Sequence, residues 1–258
     1  MIESLNFKKL GKGPPLIILH GLFGMLDNWQ TMSKHLANQY EVWLIDQPNH
    51  GKSPHYTNFN YYMLSSHIES FIISNKLTSA HILGHSMGGK TAMQLAMDAP
   101  ELVDKLIVVD IAPKTYLPGH DLIFKAFFSV KLSEIQNRKQ AEAAMAEIID
   151  DKSILLFLLK NLNRSSDGSY KWKANVQSLY DNYQSIIDNS LGPFQQFDKP
   201  TLFVKGGASP RYIEMDDWPN MLEYFPEAKL EVIEGAGHWV HAQKPKELHE
   251  VIVNFLGE

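Results

Sequence analysis

The sequence contains no cysteine. That excludes disulfide staples, thiolate metal sites and a cysteine nucleophile, and it fits a reducing compartment. It also lacks any uninterrupted apolar stretch near the roughly 20 residues that a membrane-spanning helix needs. The segment Met1–Pro15 carries Glu3, Lys8, Lys9 and Lys12 and no long apolar run, so no secretory signal is expected and a cytoplasmic location is. Basic charge is not in excess: 24 Lys and Arg stand against 29 Asp and Glu, for a net charge of −5. Such a surface gives no electrostatic footing for nucleic acid or anionic lipid. No His, Asp and Glu cluster shows metal-ligand spacing, so no metal site is expected. Internal repeats and low-complexity segments are missing as well.

What remains is the composition of a globular protein. The chain has 258 residues, 44% hydrophobic and 21% charged, enough for one domain with a single core and an insertion. Short apolar runs stand at Leu16–Leu19, Val42–Ile45, His81–Leu83 and Leu106–Val109, and later at Thr201–Lys205 and Lys229–Ile233. Turn formers flank them, and helical spacing fills the gaps. Uniformly apolar strands alternating with helices predict an α/β fold with a mostly parallel sheet covered on both faces.

Between the two groups of strands the pattern changes. Residues Asp121–Val130, Leu132–Ile149, Lys152–Asn161 and Lys173–Asn189 read as helices, with Asn163–Tyr170 as a loop and no convincing strand. The expected organisation is a core of residues 1–113 and 197–258 carrying a helical cap at 114–196. A cap there would lie over the carboxyl edge of the sheet, where open α/β sheets bind ligands.

The chemistry concentrates in four places. At Gly84-His85-Ser86-Met87-Gly88 an apolar strand ends and a helix begins at once. This is G-x-S-x-G in its strand–turn–helix context, with small residues where neighbouring backbone must approach and a helix N-terminus behind the serine. Ser86 is the candidate nucleophile. The second place is His20-Gly21-Leu22-Phe23-Gly24, directly after an early strand. Acyl transfer builds an oxyanion that needs two preorganised N–H donors. The expected donors are Met87 and Leu22, with Phe23 the alternative to Leu22.

The third place is Gly235-Ala236-Gly237-His238, after the last strand, where the general base belongs in the chain order Ser, acid, His. His238 is the candidate; His241 reads as a loop-wall residue and His249 as a surface residue of the final helix. His20, His50 and His85 flank the glycine loops and read as groups that satisfy backbone. The fourth place is the acid. The usual turn after Thr201–Lys205 reads Gly206-Gly207-Ala208-Ser209-Pro210-Arg211 and holds no carboxylate. Asp110 ends the strand Leu106–Val109, lies between Ser86 and His238 in the chain, and could orient His238. Asp216 and Asp217 are the alternatives, and Asp110 could instead cap the first turn of the cap. Phe23, Trp239, His85, Phe124 and Phe128 are expected to line an acyl pocket.

These motifs resemble the α/β-hydrolase superfamily over nearly the whole chain. Asp46-Gln47-Pro48-Asn49-His50-Gly51-Lys52-Ser53, Val108–Pro113 (VVDIAP) and Gly206–Pro210 (GGASP) are similar to the YbfF-type bacterial esterase and acyl-CoA thioesterase group and its mitochondrial relatives. Pro48 stands where that group usually has arginine. The resemblance implies a serine esterase or acyl-CoA thioesterase acting on a small-molecule acyl ester or acyl-CoA, with no cofactor. It also implies a four-helix cap inserted after the sixth strand and the acid placed after that strand, in agreement with Asp110. The same scaffold serves C–C hydrolases, lactonases, cofactor-free haloperoxidases and lyases of menaquinone synthesis, and non-catalytic binding proteins. Aspartate-dependent dehalogenases and epoxide hydrolases are disfavoured by Ser86. The lyases call for basic groups, and only Arg164 and Arg211 follow Arg138. Binding proteins on this scaffold usually lose the nucleophile or base.

Overall fold

The computed structural model describes residues 3–258. Met1 and Ile2, which begin the segment expected to carry no secretory signal, lie outside the described residues. Seven strands form one sheet: β1 (Phe7–Leu10), β2 (Pro15–Leu19), β3 (Glu41–Ile45), β4 (Ala80–His85), β5 (Val103–Val109), β8 (Thr201–Gly206) and β9 (Ala228–Ile233), in the order β1-β3-β2-β4-β5-β8-β9. Among the described residues of this sheet only β1 runs antiparallel to its neighbour. The six apolar runs of the sequence all lie in the parallel strands. Strand β1 was not legible as one, because FKKL is an exposed polar edge without a buried face.

Helices cover both faces. On one side Ile17, Leu19, Ile82 and Val108 pack against α2 (Tyr61–Ser74) and α3 (Met87–Asp98). On the other Leu16, Ile18, Leu83 and Val109 pack against α1 (Gln30–Leu36) and α11 (Pro245–Gly257). Two-sided burial is why β2 reads PLIIL without alternation, and each fully buried Leu or Ile contributes about 1.5–3 kcal/mol. The chain leaves β2 to one side for β3 and returns to the other for β4. The carboxyl ends of β2 and β4 therefore meet at a topological switch point, the crevice where such sheets bind ligands.

The segment between β5 and β8 differs in part from the helical reading. It holds α4 (Asp121–Ser129), α5 (Arg138–Ala146), α6 (Lys152–Leu159), α7 (Val176–Asp181) and α8 (Tyr183–Ile187), and also a hairpin of β6 (Leu162–Arg164) and β7 (Tyr170–Trp172). The expected loop Asn163–Tyr170 contains the tip of that hairpin, but Asn163, Arg164 and Tyr170 belong to its paired strands. Gly168 turns there at φ +86°, and Asp167 Oδ1 accepts from Ser169 N and Oγ at 2.9 and 2.7 Å. Trp172 meets Phe127 edge-on at 4.9 Å, which ties the hairpin to α4. The helix expected at Leu132–Ile149 starts only at Arg138, where Asn137 caps it. The helix expected at Lys173–Asn189 breaks at Asn182, whose side chain donates to Thr57 O and Ser178 O, both at 2.8 Å. The four helices implied by resemblance are thus five, inserted after the fifth strand in this chain's own order. Among the described residues no helix is long and apolar enough to cross a membrane.

The segment is bound to loops at the carboxyl ends of β2 and β3. Asn161 Nδ2 donates to Phe23 O at 2.9 Å, Asn175 N to Asn49 O at 2.9 Å, and Asn49 Nδ2 to Ser178 Oγ at 3.0 Å. Phe23, Phe59, Tyr61 and Met87 form one apolar cluster with Phe124, Phe127, Leu158 and Leu179.

Candidate active site

Strand β4 ends at His85 and α3 begins at Met87, which leaves Ser86 as the whole of the turn. Its backbone sits at φ 54° and ψ −121°. For a non-glycine residue that is strained, of order 1–3 kcal/mol, and such strain persists only where the surroundings over-determine it. The turn demands glycine on either side. A Cβ on Gly84 would lie 2.1 Å from Gly88 O, and one on Gly88 would lie 2.4 Å from Leu19 O.

His238 stands on the loop after β9. Its Nε2 lies 3.0 Å from Ser86 Oγ and its Nδ1 lies 2.8 Å from Asp110 Oδ2. Asp110 follows β5 and is fully buried. Its Oδ1 accepts from Gly206 N at 2.9 Å, and its Oδ2 also accepts from Ser209 Oγ at 2.5 Å. Asp216 is exposed, and Asp217 pairs with Lys114 Nζ at 2.7 Å, so neither competes for His238. The Tyr212 ring stacks on His238 at 3.6 Å and 15°, and His85 Nε2–H donates to His238 O at 2.8 Å. Imidazole, backbone and carboxylate are each held from at least one further side.

Leu22 and Met87 line the same small pocket as Ser86, and among the described residues neither N–H donates to a protein acceptor. The Phe23 N–H is committed to His50 Nε2 at 3.1 Å, whereas the Leu22 N–H has no protein acceptor among the described residues. Met87 N–H is the first of α3, so the helix adds its positive end there. His50 Nδ1–H donates to Pro48 O at 2.9 Å, which keeps Nε2 as the acceptor. His20 repeats the scheme: Nδ1–H donates to Gly21 O at 2.9 Å, and Nε2 accepts from Gln47 N at 3.0 Å. Burial lowers His20 to about 4 and His50 to about 3, and it pushes His85 well below the ordinary imidazole range. These three act as neutral hydrogen-bonding groups of the loops, as their positions beside glycines suggested.

A cavity of about 360 Å³ opens over Ser86, and Phe23, His85, Trp239, Ile154 and Phe157 are in its wall. Phe124 and Phe128 are not, contrary to expectation. Helix α4 turns Ile123 to the cavity; Phe124 is buried edge-on against Phe23 at 5.3 Å, and Phe128 is half-exposed against Tyr180 in a separate surface groove. The facing side of a helix follows from tertiary packing, so aromatic identity alone did not reveal it. Tyr212, His120, Trp29 and Ser209 were missed altogether. Tyr212, His120 and Ser209 lie on irregular loops and Trp29 on a single 3-10 turn, all too short to show a period, and the GGASP motif does not by itself reveal what Ser209 reaches. His241 lines the cavity, stacked on Trp29 at 4.5 Å, and burial lowers it to about 3. Among the described residues no group of three or more His, Asp or Glu is placed to hold a metal ion.

A hydroxyl beside an imidazole, with a buried carboxylate behind it, is an arrangement that can perform acyl transfer. The chain belongs to the alpha/beta hydrolase fold family, which matches residues 14–245. Within that family it is a carboxylic-ester hydrolase. It is 38% identical to Esterase YbfF of Escherichia coli (strain K12), over 95% of this chain and 93% of that protein. It is 36% identical to the sn-1-specific diacylglycerol lipase ABHD11 of Xenopus laevis, over 95% of this chain and 80% of that protein. A solved structure described as a marine microorganism esterase has a TM-score of 0.95 and 43% identity, covering 98% of this chain and 99% of that one.

Proposed function

We propose that Ser86 attacks the acyl carbon of an ester and carries the acyl group as a covalent intermediate. The unbroken path Asp110–His238–Ser86, at 2.8 and 3.0 Å, carries this reading. His238 Nε2 takes the Ser86 proton as Oγ attacks, and Asp110 orients the ring and stabilises the imidazolium. The Leu22 and Met87 N–H groups hold the oxyanion; losing one such donor typically costs about 3–4 kcal/mol of barrier. The alcohol leaves with the proton from His238, and water activated by the same ring releases the acid.

Residues 1–113 and 197–258 serve as the hydrolytic core and 114–196 as its cap. Relatives named as an esterase and a diacylglycerol lipase favour an alcohol over coenzyme A as the leaving group. Of the two arginines that an anionic lyase substrate would call on, only Arg211 borders a pocket at Ser86. Arg164 lies on the hairpin against Tyr170, and Arg211 is bound to Leu117 O.

The test is covalent. A fluorophosphonate probe and p-nitrophenyl butyrate should each leave their group on Ser86 in intact-mass and peptide spectra, and Ser86→Ala should abolish labelling and hydrolysis. Full hydrolysis by Ser86→Ala would overturn the proposal.

A further inference from the structure

Two cavities meet at Ser86. The larger, of about 360 Å³, has His238, Trp239, His241 and Gln243 in its wall. A second pocket, of about 40 Å³, opens beside the same serine. Leu22, Ser86, His120 and Tyr212 border both. The small pocket is otherwise walled chiefly by Tyr61, Met87, Ile111, Tyr116, Ile186 and Ile187, and His238 is not part of it.

Proton delivery decides which end of an ester enters which space. As the bond from Ser86 Oγ to the acyl carbon forms, the carbonyl electron pair moves onto the oxyanion and His238 takes the serine proton. When that pair returns, the bond to the leaving oxygen breaks and the leaving oxygen receives the proton from His238. The leaving oxygen must therefore lie within hydrogen-bond reach of His238 Nε2. Its substituent projects into the cavity that His238 walls. The acyl chain departs from the carbonyl carbon on another side, past Met87.

We infer that the small pocket is the acyl site, that it admits only short acyl groups, and that the large cavity holds a bulkier alcohol part. This rests on the acyl-enzyme reading of Ser86. Size sets the chain length. A water occupies about 10–15 Å³ of such space, so a pocket of about 40 Å³ takes roughly three heavy atoms beyond the carbonyl carbon, a butyryl group at most.

Three polar groups of the wall are already spent. Lys90 Nζ donates to the carbonyls of Lys114, Ile187 and Asp188 at 2.9, 3.1 and 2.7 Å, which uses all three of its protons. Tyr61 OH donates to Ile186 O at 2.7 Å and Tyr116 OH to Tyr212 O at 2.6 Å. Arg211, the other cation at this pocket, is exposed and donates to Leu117 O. An acyl chain there meets hydrocarbon and aromatic surface, and Lys90, the buried cation of the wall, has no proton left for a carboxylate.

Two ester series test the assignment on the full-length protein. In the first the alcohol is p-nitrophenol and the acyl chain grows from acetyl to dodecanoyl. In the second the acyl group is acetyl and the alcohol grows from ethanol to a naphthyl alcohol. A misfit in an apolar pocket is worth about 10–200-fold, so kcat/KM should fall at least about 100-fold between butyryl and decanoyl esters. Along the second series it should not fall as the alcohol grows. Ile186→Ala should move the acyl cutoff to longer chains, whereas Phe157→Ala should change KM for bulky alcohols and leave the acyl cutoff where it was.

Decanoyl esters cleaved as well as butyryl esters, or acetyl esters rejected as the alcohol grows, would overturn the assignment while Ser86 remained acylated. Failure of every ester together with an unlabelled Ser86 would overturn the acyl-enzyme reading itself. The wild-type series decide the matter even if Ile186→Ala does not fold.

Discussion

Ser209 Oγ donates to Asp110 Oδ2 at 2.5 Å, on the same carboxylate oxygen that faces His238. The turn after β8 thus carries a hydroxyl that reaches back to an acid at the end of the neighbouring strand. Both residues are buried, so the bond is not traded for water. Ser209 is a positioning residue. Ser209→Ala should lower kcat by about 10-fold, equivalent to about 1.4 kcal/mol, with little change in KM. Ser209→Thr should recover most of the loss if its hydroxyl reaches the carboxylate. A purely structural role would instead lower thermal stability without changing kcat per folded molecule.

The acid itself is open to a direct comparison. Asp110→Asn removes the charge behind His238 and favours the wrong tautomer, so kcat should drop by about 10³–10⁴-fold. Asp216→Asn should stay within a few-fold of the parent, because that side chain is exposed. Asp217→Asn weakens the pair with Lys114 and should lower the melting temperature slightly without touching the chemistry. Steady-state kinetics on a p-nitrophenyl ester check all three. Loss at Asp216 with Asp110→Asn active would refute the assignment.

Much of this site was legible because its motifs have short-range physical causes. Gly84 and Gly88 are dictated by backbone contacts within one turn, and Asp110 by the end of an apolar strand. Fully apolar runs announced the parallel strands. Elements that escaped depend on distant partners or are too short to show a period. Three-residue strands at Leu162–Arg164 and Tyr170–Trp172 cannot display alternation. Asn182 breaks a helical pattern because Thr57, far away in sequence, offers it a carbonyl. Phe124 and Phe128 were set on the wrong face because nothing local says that α4 turns Ile123 to the cavity. Tyr212 and Ser209 lie in a loop whose role appears only once β5 and β8 are side by side.

His50 offers a test of the oxyanion loop. Its Nε2 holds the Phe23 N–H, and Phe23 sits at φ 58°, a left-handed conformation that a bulky residue adopts only under constraint. His50→Phe keeps an aromatic ring and removes the acceptor, which leaves a buried N–H unpaired at about 1–3 kcal/mol. Loss of that anchor frees the peptide that carries the Leu22 donor. The expected outcome is a lower melting temperature with a reduced kcat and an unchanged KM. An unchanged kcat would show that the loop is held by other contacts.

The buried imidazoles predict acid lability with a definite sign. His20 and His120 are lowered to about 4, His50 and His241 to about 3, and His85 lies well below its ordinary range, with burial the largest cause in each case. In the unfolded chain each takes up a proton near the usual value of about 6.5. Between about pH 6.5 and pH 4 the unfolded state therefore binds more protons than the folded state, and stability falls as pH falls. Each such histidine contributes a slope approaching roughly 1.4 kcal/mol per pH unit, so the five together remove on the order of 5 kcal/mol or more by about pH 5. That is comparable to the whole stability of a typical domain, about 5–15 kcal/mol. Urea midpoints measured from pH 8 to pH 5 should hold steady down to about 7 and then drop steeply. His241→Phe, which keeps a ring against Trp29 and cannot titrate, should flatten that slope by about one proton. A midpoint unchanged between pH 7 and pH 5 would mean that these rings are protonated inside the fold, which their roles as hydrogen-bond acceptors at His20 and His50 forbid.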